Sequence, residues 1–169
     1  AITTVENGAR DVAALKLALH ETAAGRPAFG MVVPGEDDAW ILRLQSDLSR
    51  NMGRLEDAVR ENMEATATAE SGRHPELVHY ARIAGENLRR HTERGRSIAQ
   101  AYRTLDAAQA FANAVGIPKL EAEACIVRGH IALDQGDTKT ATREAMRALG
   151  VASINDMRLR IAGALGFLG

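Results

Sequence analysis

Few residues in this 169-residue chain have types that could do chemistry, and their spacing decides which chemistry is open to them. His74, His79 and His91 come close in sequence, but His79 lies off the apolar stripe that His91 shares, so the rings face different ways. There is no HExxH, no Cys/His ligand set and no diiron pattern, since Glu76-x-x-His79 has no second Glu-x-x-His to pair with, so no metal is expected. Cys125 is the single cysteine, and His130 stands more than one helical turn beyond it. A nucleophile–base dyad is therefore not expected, and Cys125 reads as a small buried residue. Glu56, Asp57, Glu61 and Glu64 make an acidic helix face without an acid–base partner. With no glycine-rich phosphate loop or nucleophile elbow either, the chain reads as no enzyme and as needing no cofactor.

The most suggestive set is basic. Arg82, Arg89, Arg90, Arg94, Arg96 and Arg103 crowd into one stretch, relieved by Glu86 and Glu93. Such a strip is either a solvated helix face or a surface that suits an acidic partner segment. Nucleic acid is not expected, because no aromatic residues are interleaved for stacking and the net charge is −1.

The elements that must position these residues are helical. Ala, Leu, Arg and Glu dominate and β-branched residues are sparse, which makes the fold class all-α. The length suits one domain with a sizeable core. No apolar run reaches 18 residues, so no membrane span is expected. The first residues lack the plan of a signal peptide, and one thiol fits a reducing compartment, so a cytoplasmic location is expected. Arginine outnumbers lysine 18 to 3, which hints at a GC-rich bacterial source. The chain does not begin with Met, so it is expected to be processed or cut from something longer.

Taken in order, Thr3-x-x-Glu6 is a capping box for a helix from about Thr4 to Ala24. Residues 25–36 form an apolar Gly/Pro loop with Phe29, Met31, Val32 and Val33, folded back over the helices or serving as a lid. Asp37 or Asp38 then caps a helix to about Asn51, Gly53 breaks it, and Leu55 to Ala69 returns. From Pro75 an apolar stripe through Leu77, Ala81, Ala84, Leu88, His91, Gly95, Ile98 and Tyr102 keeps its phase. It predicts one unbroken helix of about 28 residues, roughly 42 Å long, with His91 packed on it. Its partner runs from about Thr104 to Val115 and ends at Gly116. A further pair, about Leu120–Asp134 and Thr138–Gly150, is broken at Gln135-Gly136-Asp137, with Gly136 as the left-handed stop. Ser153 or Asn155 opens a terminal helix carrying Met157, Ile161, Leu165 and Leu168.

Two registers tie these pieces together. Gly129 has counterparts 34 residues away at Gly95 and Gly163, as Ala141 has at Ala107 and Ala148 at Ala114. Gly53, Ala58 and Ala65 in turn match Gly136, Ala141 and Ala148. A period of 34 with Gly136-Asp137 at the turn and Ala141 and Ala148-Leu149 on the second helix resembles the tetratricopeptide (TPR) repeat. The resemblance covers roughly residues 37–169. It implies a single helical-repeat domain, a right-handed superhelix of antiparallel helix pairs (an α-solenoid) with about seven helices. The repeats would be 37–70, 75–116 with an extended first helix, and 119–150, with a terminal helix over 153–169. The chain departs from the family at Cys125, Arg128 and Ala132, where Trp, Leu and Tyr are common, and lacks the Lys/Asn carboxylate clamp of some chaperone-binding members.

What the resemblance implies about function is a non-catalytic protein–protein or peptide interaction module. Its concave groove would be formed by Arg89, Glu93, Arg96 and Gln100, then Glu123, Ile126, Val127 and His130, then Met157 and Arg160. These positions are expected to be exposed and to meet an acidic or amphipathic partner segment, with the terminal helix a candidate for self-association. The second reading is a ligand- or peptide-sensing domain of a bacterial signalling or transcriptional regulator, with the 25–36 loop over the groove.

Overall fold

Short turns at left-handed residues divide the chain into helices of nearly equal length. The computed structural model describes residues 36–92 and 97–154. Among them are six helices and no strand: α1 (Glu36–Asn51), α2 (Leu55–Ser71), α3 (Pro75–Thr92), α4 (Ile98–Val115), α5 (Pro118–Asp134) and α6 (Thr138–Ile154). Four turns share one geometry. Gly53, Arg73, Gly116 and Gly136 have φ of 73°, 58°, 78° and 74°. The next residue in each case donates its N–H to a carbonyl five residues back: Arg54 to Ser49, His74 to Ala69, Ile117 to Ala112 and Asp137 to Ala132, all at 2.9 Å. That bond occupies one of the carbonyls a helix end leaves open, and the left-handed residue makes the reversal. The expected stops at Gly53, Gly116 and Gly136 are therefore found, and Arg73 does the same without being glycine.

The chain divides into two compact units at Ala81/Arg82, within α3. In the first, α1 packs on α2. Ala39, Ala69 and Leu77 form a buried cluster flanked by Trp40 and Val78. The helices are joined by buried hydroxyls: Ser46 Oγ donates to the Ala58 carbonyl at 2.8 Å and Ser49 Oγ to Glu61 Oε2 at 2.7 Å. The Arg43 guanidinium lies 5.8 Å from the Trp40 ring centre and 5.5 Å from that of Tyr80, in cation–π range.

In the second unit α5 packs on both α4 and α6. Leu105, Leu120 and Ile131 are fully buried, each contributing about 1.5–3 kcal/mol relative to exposure. Cys125 and Ala148 pack together with Ile126 and Leu149 against them. Arginines cross between helices: Arg90 Nε and Nη2 donate to the Asp134 carboxylate at 2.7 and 2.9 Å. Arg147 pairs with Glu121 at 2.8 Å, and Arg128 pairs with Asp106 while lying over Tyr102.

The second helices repeat a seam. Ala58, Asn62, Ala65 and Ala69 of α2 are buried, as are Ala101, Leu105, Ala108 and Ala112 of α4, and Ala141, Ala145, Ala148 and Ala152 of α6. Alanines at i, i+7 and i+11 in all three let a neighbouring helix approach closely. The match of Gly53, Ala58 and Ala65 to Gly136, Ala141 and Ala148 holds, and at that 83-residue offset Leu55–Ser71 becomes Thr138–Ile154, end for end.

Four sequence expectations are corrected. The single helix over 75–102 is two: Ser97 is extended (φ −73°, ψ 106°) and its Oγ accepts the Gln100 N–H, capping α4. The apolar stripe kept its phase only because Ile98 and Tyr102 continue it on the next helix. Consequently α4 begins at Ile98 rather than near Thr104, and His91, in the last turn of α3, is exposed rather than packed. Second, the structural counterpart of Ala141 is Ala101, not Ala107. Ala107 and Ala114 are exposed, since six residues turn a helix by about 240° to another side. Third, Gly150 does not end α6, which runs on to Ile154, so Ser153 opens no further helix. Ala152 is buried, which holds that last turn in place. Fourth, Asp37 and Asp38 lie inside the first turn of α1 rather than before it. The expected first helix, the 25–36 loop up to residue 35, Gly95 and the helix carrying Met157 lie outside the described residues, while Glu36 begins α1.

Candidate functional site

Arg82, Glu86 and Arg89 stand at i, i+4 and i+7 on α3, which puts them on one side of that helix. Together with Ser97, Gln100, Arg103, Thr104 and Ala107 they line a recess of about 560 Å³. Every lining residue belongs to the second unit. The recess exists because the chain breaks at Ser97. On one continuous helix Arg82 and Arg103 would stand about 31 Å apart.

The walls are polar and held in place. Arg89 Nη2 donates to Glu86 Oε1 at 2.9 Å, and the Glu86 side chain is only 4% exposed. Gln100 is fixed three ways: its N–H reaches Ser97 Oγ at 3.2 Å, its carbonyl accepts from Thr104 Oγ1 at 3.2 Å, and its side-chain oxygen accepts from Arg103 Nη2 at 2.6 Å. Among the described lining residues three guanidiniums stand with one carboxylate, so that part of the wall is basic. Arginine forks held at their root by a neighbour are suited to carboxylate or phosphoryl oxygens, which they meet in two parallel bonds.

Of the residues expected to form a groove, Arg89 and Gln100 come together here. Glu123 and Val127 do not belong to any open surface: they are 8% and 4% exposed, which corrects the expectation that these positions face solvent. On α5, packed between α4 and α6, both fall on covered sides. Ile126 is half-buried against the Cys125–Ala148 cluster, and His130 is half-buried. Glu93, Arg96, Met157 and Arg160 lie outside the described residues, as does Arg94. Arg82 and Arg103, seen in the sequence only as parts of a basic strip, join the recess, whereas Arg90 is taken up by Asp134. Ser97 and Thr104 were missed. The signal was there, since Ser97-x-x-Gln100 is the pattern that opens a helix.

No protein-family model, curated protein or solved structure matches the chain. The chemistry must be read from its own residues. Cys125 is fully buried, Gln109 Nε2 donates to its sulfur at 3.1 Å, and burial pushes its thiol up to about 12. A thiol so held is a packing residue and no nucleophile. Among the described residues no three His, Cys, Asp or Glu side chains come together to hold a metal ion. No described helix is long and apolar enough to cross a membrane. What the recess can do is bind an anion.

Proposed function

We propose that this chain is a non-catalytic interaction module of TPR-like helical pairs, and that it holds an acidic segment of a partner protein in the recess between α3 and α4. The observation that carries the reading is the recess itself, with Arg82, Arg89 and Arg103 beside the Glu86 carboxylate among its described lining residues. Support for the repeat character comes from the alanine seam shared by α2, α4 and α6. A bacterial, cytoplasmic regulator built as an α-solenoid is the setting this reading fits.

The test is binding of a fluorescent, glutamate-rich amphipathic peptide. Reversing Arg82 and Arg103 together to Glu should weaken binding by about tenfold at low salt and by much less at high salt, because exposed pairs are individually weak and screened. Arg60→Glu, exposed on α2 and paired with Asp57, should leave binding unchanged. A peptide that binds the double reversal as tightly as the parent overturns the proposal.

A second reading is a sensor of a small anionic ligand. It is favoured by the size of the recess, which at about 560 Å³ lies in the range of small-molecule sites. A melting temperature raised by a small anion but not by the peptide would decide for it.

A further inference from the structure

We infer that this chain self-associates through unlike sides, the outer side of α2 on one copy docking on the outer side of α6 on another. The 83-residue relation between the two helices extends to the sides that face away from the alanine seam. On α2 that side presents Glu56, Arg60, Met63 and Ala67, and on α6 it presents Lys139, Arg143, Met146 and Gly150, all eight exposed. Each set stands at i, i+4, i+7 and i+11, about half a turn round its helix from the seam. Met63 is 66% exposed and Met146 55%, so neither stripe is covered at its centre. A long, adaptable apolar side chain stands in the open at the same place twice, with a small residue one turn on. That is a knob beside a hole. None of the eight lines the recess, so this contact goes beyond the reading just given.

The occupant is a second copy because the two sides fit each other better than they fit themselves. With the helices antiparallel, Met63 of one copy falls on Gly150 of the other and Met146 falls on Ala67, so each knob meets a hole. At Gly150 an added Cβ would meet nothing within 4 Å, which leaves room over the backbone for the methionine. Charge then selects the pairing. In that register the position flanking the stripe is Glu64 on α2 and, at the same offset, Arg147 on α6. Two copies of α2 would bring Glu64 against Glu64, and two copies of α6 would bring Arg147 against Arg147. Only α2 on α6 brings Glu64 against Arg147, and like charges placed together work against the other two pairings. Arg147 pairs with Glu121 at 2.8 Å and stays 44% exposed, so it can bridge both carboxylates. Arg60 falls level with Ser153 rather than with another cation. One helix against one helix is a small interface, which makes the association weak and concentration-dependent.

The test is sedimentation of the whole chain from micromolar to near-millimolar concentration. The parent's mean mass should rise above the monomer's as concentration rises, and the association should weaken about threefold or more from low to high salt. Ala67→Arg fills the hole on α2 and Gly150→Glu the hole on α6. Each variant should therefore stay monomeric alone, while an equimolar mixture of the two should form a one-to-one complex through the sides left intact. When dilute, neither should melt below the parent, because both positions are exposed. Should circular dichroism show helix lost in either, Met63→Gln and Met146→Gln carry the same comparison. A parent that is monomeric throughout overturns the inference. So does Gly150→Glu assembling alone, which would mean α2 on α2, or Ala67→Arg assembling alone, which would mean α6 on α6. A mixture that stays monomeric while the parent assembles places the contact elsewhere and overturns it too.

Discussion

Glu61 and Glu144 occupy the same place on α2 and α6, and a hydroxyl donor that Glu61 has is missing at Glu144. Glu61 accepts from Ser49 Oγ, whereas the residue at the corresponding position on α5 is Ala132, and Glu144 Oε2 is buried with no hydrogen-bond partner. A buried carboxylate oxygen without a donor costs free energy that a hydroxyl can recover. Ala132→Ser should therefore raise the melting temperature, while Ser49→Ala should cost about 1–3 kcal/mol in a denaturant titration. A lower melting temperature for Ala132→Ser would mean that Glu144 is not the beneficiary.

Cys125 sets a pH dependence at the same scale. Its folded-state pKa is raised from about 9 to about 12, first by burial, with Arg147 opposing and Glu144 and Glu121 adding to the rise. Between those values the unfolded thiol loses its proton and the folded one keeps it, so the unfolded state binds fewer protons. Stability is thus expected to be undiminished below about pH 9 and to fall as pH rises towards 12. Chemical denaturation across that range should show this limb flattened in Cys125→Ala.

At the scale of the element, a glycine in the turn before α6 and a glycine within α6 make opposite predictions although an added Cβ meets nothing within 4 Å at either. Gly136 has a φ of 74°, where a side chain strains the backbone, so Gly136→Ala should cost about 1–2 kcal/mol. Gly150 lies within α6, so Gly150→Ala should stabilise by about 0.5–1 kcal/mol through helix propensity. Thermal melts of the two variants, shifted in opposite directions, would check both. The same pair explains what sequence reading could find. Gly136 stands between two apolar patterns that change phase around it, so its role was legible. Gly150 did not end its helix because Ala152 is buried one half-turn on, and burial is not written in a glycine. At Ser97 the capping pattern is masked by a stripe whose phase continues into α4.

At the scale of the molecule, the helical class, the hairpins α1–α2 and α5–α6 and their 83-residue relation were legible because turns and alanines recur at fixed offsets. The recess was only half legible. The arginines were visible as a strip, but a strip on one rod cannot make a recess. Which of them would meet depended on the break at Ser97 and on Asp134 claiming Arg90. Val127 and Glu123 misled because periodicity places residues on a face without saying how many neighbours cover that helix, and α5 is covered by two.

The alanine seam has a consequence for how this chain can change. At the same two places α1 carries Ser46 and Ser49 where α5 carries Gly129 and Ala132, and the C-terminal ends of the two helices still coincide to the residue. The rule being kept at these places is therefore one of size, and Ala, Gly and Ser all satisfy it. A fold held by so permissive an alphabet leaves its remaining positions nearly free to drift. Its shape can be inherited over many generations while the spelling erodes to a few small letters and a glycine at the turn.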